Sequence, residues 1–223
     1  MVFIVLGAFS LIFLFCLYSR KYNNPYKLCF IFGKKGSGKS TLMVHHMLRD
    51  LKRGWNVYTD IQDVMIPGVR IIRSSKELET FVPEPGSSLY LDEVGISFDN
   101  RNYKQFSGGL RDFFKLQRKY RIKVTMNSQS FDVDKKIRDC TDSMILQTSI
   151  GNVFTLSRPI IRNITLTEPS AESDSRIADS LKFGRITSWR IYFMPKYFKY
   201  FKSFDAPYRD FIEYTEVGSN HEE

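Results

Sequence analysis

The sequence predicts an open α/β fold built on a mostly parallel sheet. Three observations carry this reading. A short apolar run, "KLCFIF", leads directly into the glycine-rich stretch "GKKGSGKS" and then into a helical pattern. A second run, "PEPGSSLYLDEVG", is a turn followed by an apolar strand that ends in two carboxylates, Asp92 and Glu93. A third, "RIKVTMNSQS", is a strand whose C-terminal end turns polar at Asn127, Ser128 and Gln129. Strands that alternate with helices and close on chemistry-bearing residues suit α/β sheets, which bind ligands at the carboxyl ends of their strands.

The first element precedes that sheet. Residues Met1 to Tyr18 carry no charge and are almost all apolar. At the helical rise such a run covers about 27 Å, close to the hydrocarbon thickness of a bilayer. A cleaved signal would need a basic n-region and a small-residue cleavage site, and neither is present. The expectation is one transmembrane anchor over 1–19. Nothing charged precedes the run, whereas Arg20, Lys21 and Lys27 follow it. The excess of cations on that side predicts an N-terminus outside and a cytoplasmic bulk. A tether over 20–26 spans at most about 25 Å, so the domain sits against the membrane.

The glycine-rich stretch fits G-x-x-x-x-G-K-[ST] from Gly33 to Ser40. Gly33, Gly36 and Gly38 allow backbone conformations and close approaches that a Cβ would block. The loop amides of Lys34, Lys35, Ser37 and Thr41 then join them in facing phosphate oxygens, helped by the N-terminus of the next helix. Lys39 reaches the β- and γ-phosphates, and the Ser40 hydroxyl is offered to Mg²⁺. In the helix that follows, Val44, Met47, Leu48 and Leu51 share one face, and Gly54 stands where a helix stops. This is a P-loop NTPase signature.

The acidic strand end reads as its partner motif. Asp92 holds the Mg²⁺ hydration shell, and Glu93 is the base that polarises the attacking water. "SGGLRDFFKLQRKY" is a helix with Leu110, Phe113, Phe114 and Gln117 on one side, and Arg111, Lys115 and Arg118 on another. The strand that follows places Asn127, Ser128 and Gln129 near the γ-phosphate. A glutamate directly after the acidic residue, with a helix and strand unit intervening before the sensor strand, points to the branch of the fold with an additional central strand. No N-K-x-D guanine-reading motif occurs, so ATP is the expected nucleotide.

Composition bounds the partners. The net charge is +9 and the isoelectric point about 9.4, which favours anionic partners, nucleic acid or lipid. The three cysteines, Cys16, Cys29 and Cys140, lack metal-ligand spacing and read as reduced structural thiols.

From Lys27 to Asp142 the chain resembles the zonula occludens toxin family, which includes the membrane-bound assembly ATPases of filamentous phages. The resemblance rests on "GKKGSGKST", on "LYLDEVGISFDNRNYKQF" and on "LQRKYRIKVTMNSQSFDVDKKIRDCTD". It implies functional positions at Asp92, Glu93, Arg101, Arg118, Gln129 and Arg138. Arg118 and Arg138 are the candidate arginine fingers of a homo-oligomeric ring. It also implies phage coat or export proteins and phage DNA, single-stranded, as partners, and the host inner membrane as the location. The chain departs from the phage proteins in one respect: its apolar span precedes the ATPase region. No second apolar run of spanning length occurs.

The remaining segments complete the organisation. "SMILQTSIGNVFTLSRPIIRNITL" reads as two strands joined at Gly151-Asn152. The expected ATPase domain is therefore 27–166, with a polar linker over 167–180. A basic aromatic region over 181–223 has three readings: stacking on single-stranded bases, lying on a membrane surface from about Lys196, or packing on the ATPase core. The expected function is a membrane-anchored ATPase that drives filamentous phage assembly and DNA extrusion. A DNA translocase of the packaging or plasmid-transfer type, and a nucleotide-gated scaffold without significant hydrolysis, are the alternatives.

Overall fold

The computed structural model describes residues 2–94, 108–129, 139–166 and 177–201. Nine strands of these residues form one sheet. They are β1 (Leu28–Phe32), β2 (Asn56–Thr59), β3 (Val69–Ile71), β4 (Ser87–Leu91), β5 (Ile122–Ser128), β6 (Ser143–Ile150), β7 (Phe154–Leu166), β8 (Ile177–Phe183) and β9 (Arg190–Phe193). The described helices are α1 (Val2–Arg20), α2 (Lys39–Lys52) and α3 (Gly108–Leu116). The order across the sheet is β3-β2-β4-β5-β1-β6-β7-β8, with β9 paired to β7. Pairing is parallel from β3 through β6 and antiparallel from β6 onward. β5 lies between β1 and β4, which is the additional central strand expected from the sequence.

The alternation of β1 divides the core. Phe30 faces the side covered by α3, where Leu110, Phe113 and Phe114 pack with Leu89, Leu91, Val124 and Met126. Ile31 faces the side of α2, where Leu42, Met43, Val44 and Met47 pack with Val57 and Tyr90. Each fully buried large side chain contributes about 1.5–3 kcal/mol relative to exposure. The apolar faces expected for α2 and α3 are the ones buried, and Gln117 is buried with its helix as expected. Gly54 ends α2 at φ 79°, and its N–H donates to the Leu51 carbonyl at 2.9 Å. That left-handed conformation is cheapest for glycine.

The hairpin expected around Gly151-Asn152 is present, and β6 is an interior strand. It pairs with β1 on one side and β7 on the other. The linker expected over 167–180 needs correction at its end. Residues 177–180 belong to β8, because Leu166 of β7 pairs with Ile177 and the ladder runs on to Ile160 and Phe183. The basic aromatic region is divided: part of it packs on the core, while Leu181, Phe183, Ile186, Ile191, Phe193 and Phe198 are exposed. Met194 and Tyr197 are buried, and Tyr192, Tyr200 and Phe201 pack against the α2 side. The Tyr197 hydroxyl is 2.9 Å from His45 Nδ1 on α2. Core packing, the third of the sequence readings, thus holds for Tyr192, Met194, Tyr197, Tyr200 and Phe201.

α1 is helical from Val2 to Arg20. Its described apolar side chains are exposed, among them Leu6, Phe9, Leu11, Ile12, Phe13, Leu14, Phe15 and Leu17. Among the described residues no helix is long and apolar enough to cross a membrane. The expected transmembrane helix is therefore not carried by the described residues.

Candidate active site

The carboxyl ends of β1, β4, β5 and β2 converge on one rim, and the glycine-rich loop crosses it between β1 and α2. The loop fits only because its glycines are glycines. A Cβ at Gly33 would lie 2.5 Å from the Gln147 carbonyl oxygen of β6. A Cβ at Gly38, which sits at φ 88°, would lie 2.6 Å from the Thr155 Cβ of β7. Thr155 also donates its Oγ1–H to the Ser37 carbonyl at 2.6 Å. The β6–β7 hairpin is thus the wall against which the loop is pressed.

α2 starts at Lys39 with Gly38 as its N-cap, and no side-chain hydrogen bond caps it. The first amides of a helix have no partner within it and favour an anion. Lys34 and Lys35 are exposed on the loop, whereas Ser37 and Thr41 are buried. Ser37 Oγ is buried with no hydrogen-bond partner. Lys39 is 7% exposed, and its Nζ donates to the carbonyls of Gly33 at 3.0 Å and Lys34 at 3.3 Å. Burial lowers its pKa, and the nearby Glu93 and Asp92 charges act in the opposite direction.

The acidic turn after β4 is strained. Glu93 has φ 44°, a left-handed conformation rare for a residue with a side chain. Its N–H donates to Asn127 Oδ1 at 2.9 Å and to Asp92 Oδ1 at 3.1 Å. Asn127 is completely buried in β5, so the polar strand end seen in the sequence holds the acidic turn in place. Burial raises the pKa of Asp92. Ser128 is buried and Gln129 is exposed at the same strand end.

Two features escaped the sequence reading. Asp60 follows β2, and its Oδ1 accepts the Asp92 N–H at 2.8 Å. Its pKa is pushed up to about 7 by burial, with the neighbouring Asp92 charge adding to the shift. The signal was available: "WNVYTD" is an apolar run closing on a carboxylate, like "SSLYLD". The wall formed by Thr155 and the Gln147 backbone had no such signal, because long-range pairing creates it.

The predicted arginines are not gathered here. Arg118 lies in the turn before β5, at the far end from Asn127. Seven residues of strand separate the two ends of β5, about 23 Å at the usual rise. Arg118 therefore does not serve the site of its own chain. Arg101 and Arg138 lie outside the described residues.

The site suits a nucleotide with Mg²⁺ by its donor set. A buried carboxylate, Asp92, and the Ser40 hydroxyl are hard oxygen donors, and Mg²⁺ commonly takes one or two such groups plus phosphates. Among the described residues no three His, Cys, Asp or Glu side chains are placed to hold a metal by themselves.

No family model matches the chain, and no curated protein matches it. Solved structures do. The N-terminal domain of zonular occludens toxin from Neisseria meningitidis superposes with a TM-score of 0.53 at 16% identity, covering 79% of this chain and 99% of that one. Lower scores are found for two others. The genome packaging NTPase B204 from Sulfolobus turreted icosahedral virus 2, in complex with AMP, has a TM-score of 0.43 at 17% identity, over 58% of this chain and 79% of that one. The flagellar accessory protein FlaH from Methanocaldococcus jannaschii has 0.43 at 12%, over 60% and 76%. The resemblance read from "GKKGSGKST" and the segments after it is matched in three dimensions: the chain has the fold of the N-terminal domain of zonular occludens toxin.

Proposed function

We propose that this chain is a P-loop ATPase that does mechanical work at a membrane, as the assembly and extrusion motor of a filamentous phage. The observation that carries the ATPase reading is the meeting of Lys39, Asp92 and Glu93 on one rim, with Glu93 held in a strained conformation by Asn127. In this reading the loop amides and Lys39 bind the phosphates of ATP. Ser40 and Asp92 would hold Mg²⁺, which would supply positive charge to the phosphates. Glu93 orients a water and takes its proton as the oxygen attacks the γ-phosphorus. The bond to the bridging oxygen breaks, and ADP and phosphate leave. Asp60 and Asn127 keep the acidic turn aligned through its two backbone amides.

Support for the membrane comes from α1. Its described apolar side chains are exposed on all sides, a surface that water does not favour and a bilayer does. The cations that follow it agree with an N-terminus outside and the ATPase domain in the cytoplasm. A ring, coat or export proteins, and single-stranded phage DNA complete the proposal. They come from the family resemblance and the positive charge.

Turnover and ATP affinity of purified protein test the site. Lys39→Ala weakens both. Glu93→Gln binds ATP and does not turn it over. Hydrolysis by Glu93→Gln at the parent rate overturns the assignment. The cargo is tested by stimulation: coat or export proteins raise turnover of an assembly motor, whereas stimulation by bare DNA alone transfers the protein to the translocases.

A further inference from the structure

The loops at the opposite rim, ahead of the parallel strands, are dense in cations. Lys27 precedes β1, Lys52 ends α2 and Arg53 follows it, and Arg118, Lys119 and Arg121 lie in the turn before β5. All six are exposed, and none makes an ion pair among the described residues. Carboxylates in the same loops are engaged. Glu84 pairs with Arg70 at 3.1 Å, and Asp142 accepts the Leu28 N–H at 2.8 Å. Cations at a helix C-terminus are favoured by its dipole, which accounts for Lys52 and Arg53 but not for Lys27, Lys119 or Arg121. Arg121 sits at φ 59°, a conformation glycine or asparagine adopts more readily.

The rim is not only basic. A groove of about 430 Å³ runs between the Val82–Pro85 turn and residues Lys119 to Arg121. Val82, which lines it, is 42% exposed, and the preceding Phe81 is 41% exposed. α1 joins the domain at this same rim, through the seven residues 21–27 that lead into β1. That chain reaches at most about 25 Å. Its last part is pinned down, with the Tyr26 ring packed edge-on to Trp55 at 5.9 Å.

We infer that this rim is the face the domain lays on an anionic lipid surface. The cations meet lipid phosphates, and Phe81 and Val82 enter the headgroup layer beside them. The inference rests on the reading of α1 as a membrane anchor, which holds this rim within reach of lipid. The nucleotide rim then faces away from the bilayer.

The test is amide hydrogen exchange of the full chain in lipid nanodiscs, in phosphatidylcholine alone and in an equal mixture with phosphatidylglycerol. Residues 52–55, 81–86 and 117–121 exchange about tenfold more slowly in the anionic discs, a difference lost in high salt and in the Lys52→Glu/Arg53→Glu/Lys119→Glu variant. The P-loop and β8 do not change. Equal exchange of the three loops in both discs overturns the inference, as does protection of those loops by single-stranded DNA and not by anionic discs. Protection of α1, read in the phosphatidylcholine discs, reports separately on the anchor.

Discussion

Toward the start of the parallel strands, Asp50 of α2 is 1% exposed and its carboxylate collects three donors. Lys123 pairs with it, Ser88 donates at 2.7 Å and Tyr90 at 2.6 Å. Burial opposes the charge on Asp50, but the bonds from Lys123, Tyr90 and Ser88 outweigh it and hold the carboxyl below its usual range. At the other end of the same sheet, Lys39, Asp60, Asp92 and Glu93 also lie in or near the interior. None of them makes an ion pair among the described residues. Burial there moves Lys39 down and Asp60 and Asp92 up, each toward its neutral form. One end has closed its charges on one another and staples a helix to two strands. The other keeps its charges unpaired at a cost in stability, which is what a site must do if phosphate and metal are to complete it.

The largest expected effect breaks the closed end. Asp50→Ala leaves the Lys123 ammonium in the interior without its carboxylate, which costs about 3–5 kcal/mol. Urea unfolding measures it. Asp50→Leu with Lys123→Met removes both charges and costs far less. If the single variant unfolds at the parent midpoint, the pair is no staple.

The open end shows the opposite sign. The folded-state pKa of Asp60 is about 7, above the ordinary carboxylate value, so the folded protein holds a proton that the unfolded chain has released. Stability linked to Asp60 is complete below the unfolded pKa and is lost as pH rises through 7. The loss is bounded at about 4 kcal/mol by 1.36 kcal/mol per unit, and the partial exposure of Asp60 reduces it. Asp60→Asn keeps an acceptor for the Asp92 N–H and removes the titration. Its unfolding midpoint in magnesium-free buffer should exceed the parent's at pH 8 and match it at pH 4. Equal pH profiles for both proteins would show that Asp60 is not the group that titrates.

The smallest effect sharpens the contrast. Glu93→Gly relieves the left-handed strain at φ 44°, and stability should rise by about 1 kcal/mol while turnover disappears. A gain in stability bought with activity is the mark of a functional end. No such trade exists around Asp50.

Much of the fold was legible in particular residues. The helical spacing of Leu110, Phe113 and Phe114 announced a buried face, and they are buried together with Leu89 and Val124. "GKKGSGKS" announced the loop, and Glu93 after Asp92 announced the strand inserted between β1 and β4. Other parts were not legible for physical reasons. Aromatics interleaved with lysines suit lipid, DNA and a core equally well. The approach of Tyr197 to His45, 152 positions away, puts part of that region on the core. Arg118 was named by resemblance as a candidate finger for a neighbouring subunit, and only the direction of β5 puts it at the far rim of its own chain.

By itself, then, the sequence determined the local chemistry: which strand ends carry acids, where the backbone must be glycine, which helix faces are apolar, and that a charge-free run stands ahead of the cations Arg20, Lys21 and Lys27. These follow from spacing along one chain. The tertiary structure decided what spacing does not encode. It set Thr155 and Gln147 against the P-loop, Asp60 under Asp92, Lys123 onto Asp50, and six cations onto the rim from which α1 departs. The reason is that sheet order and strand direction bring together residues far apart in the chain, and those pairings are chosen by burial of both faces at once.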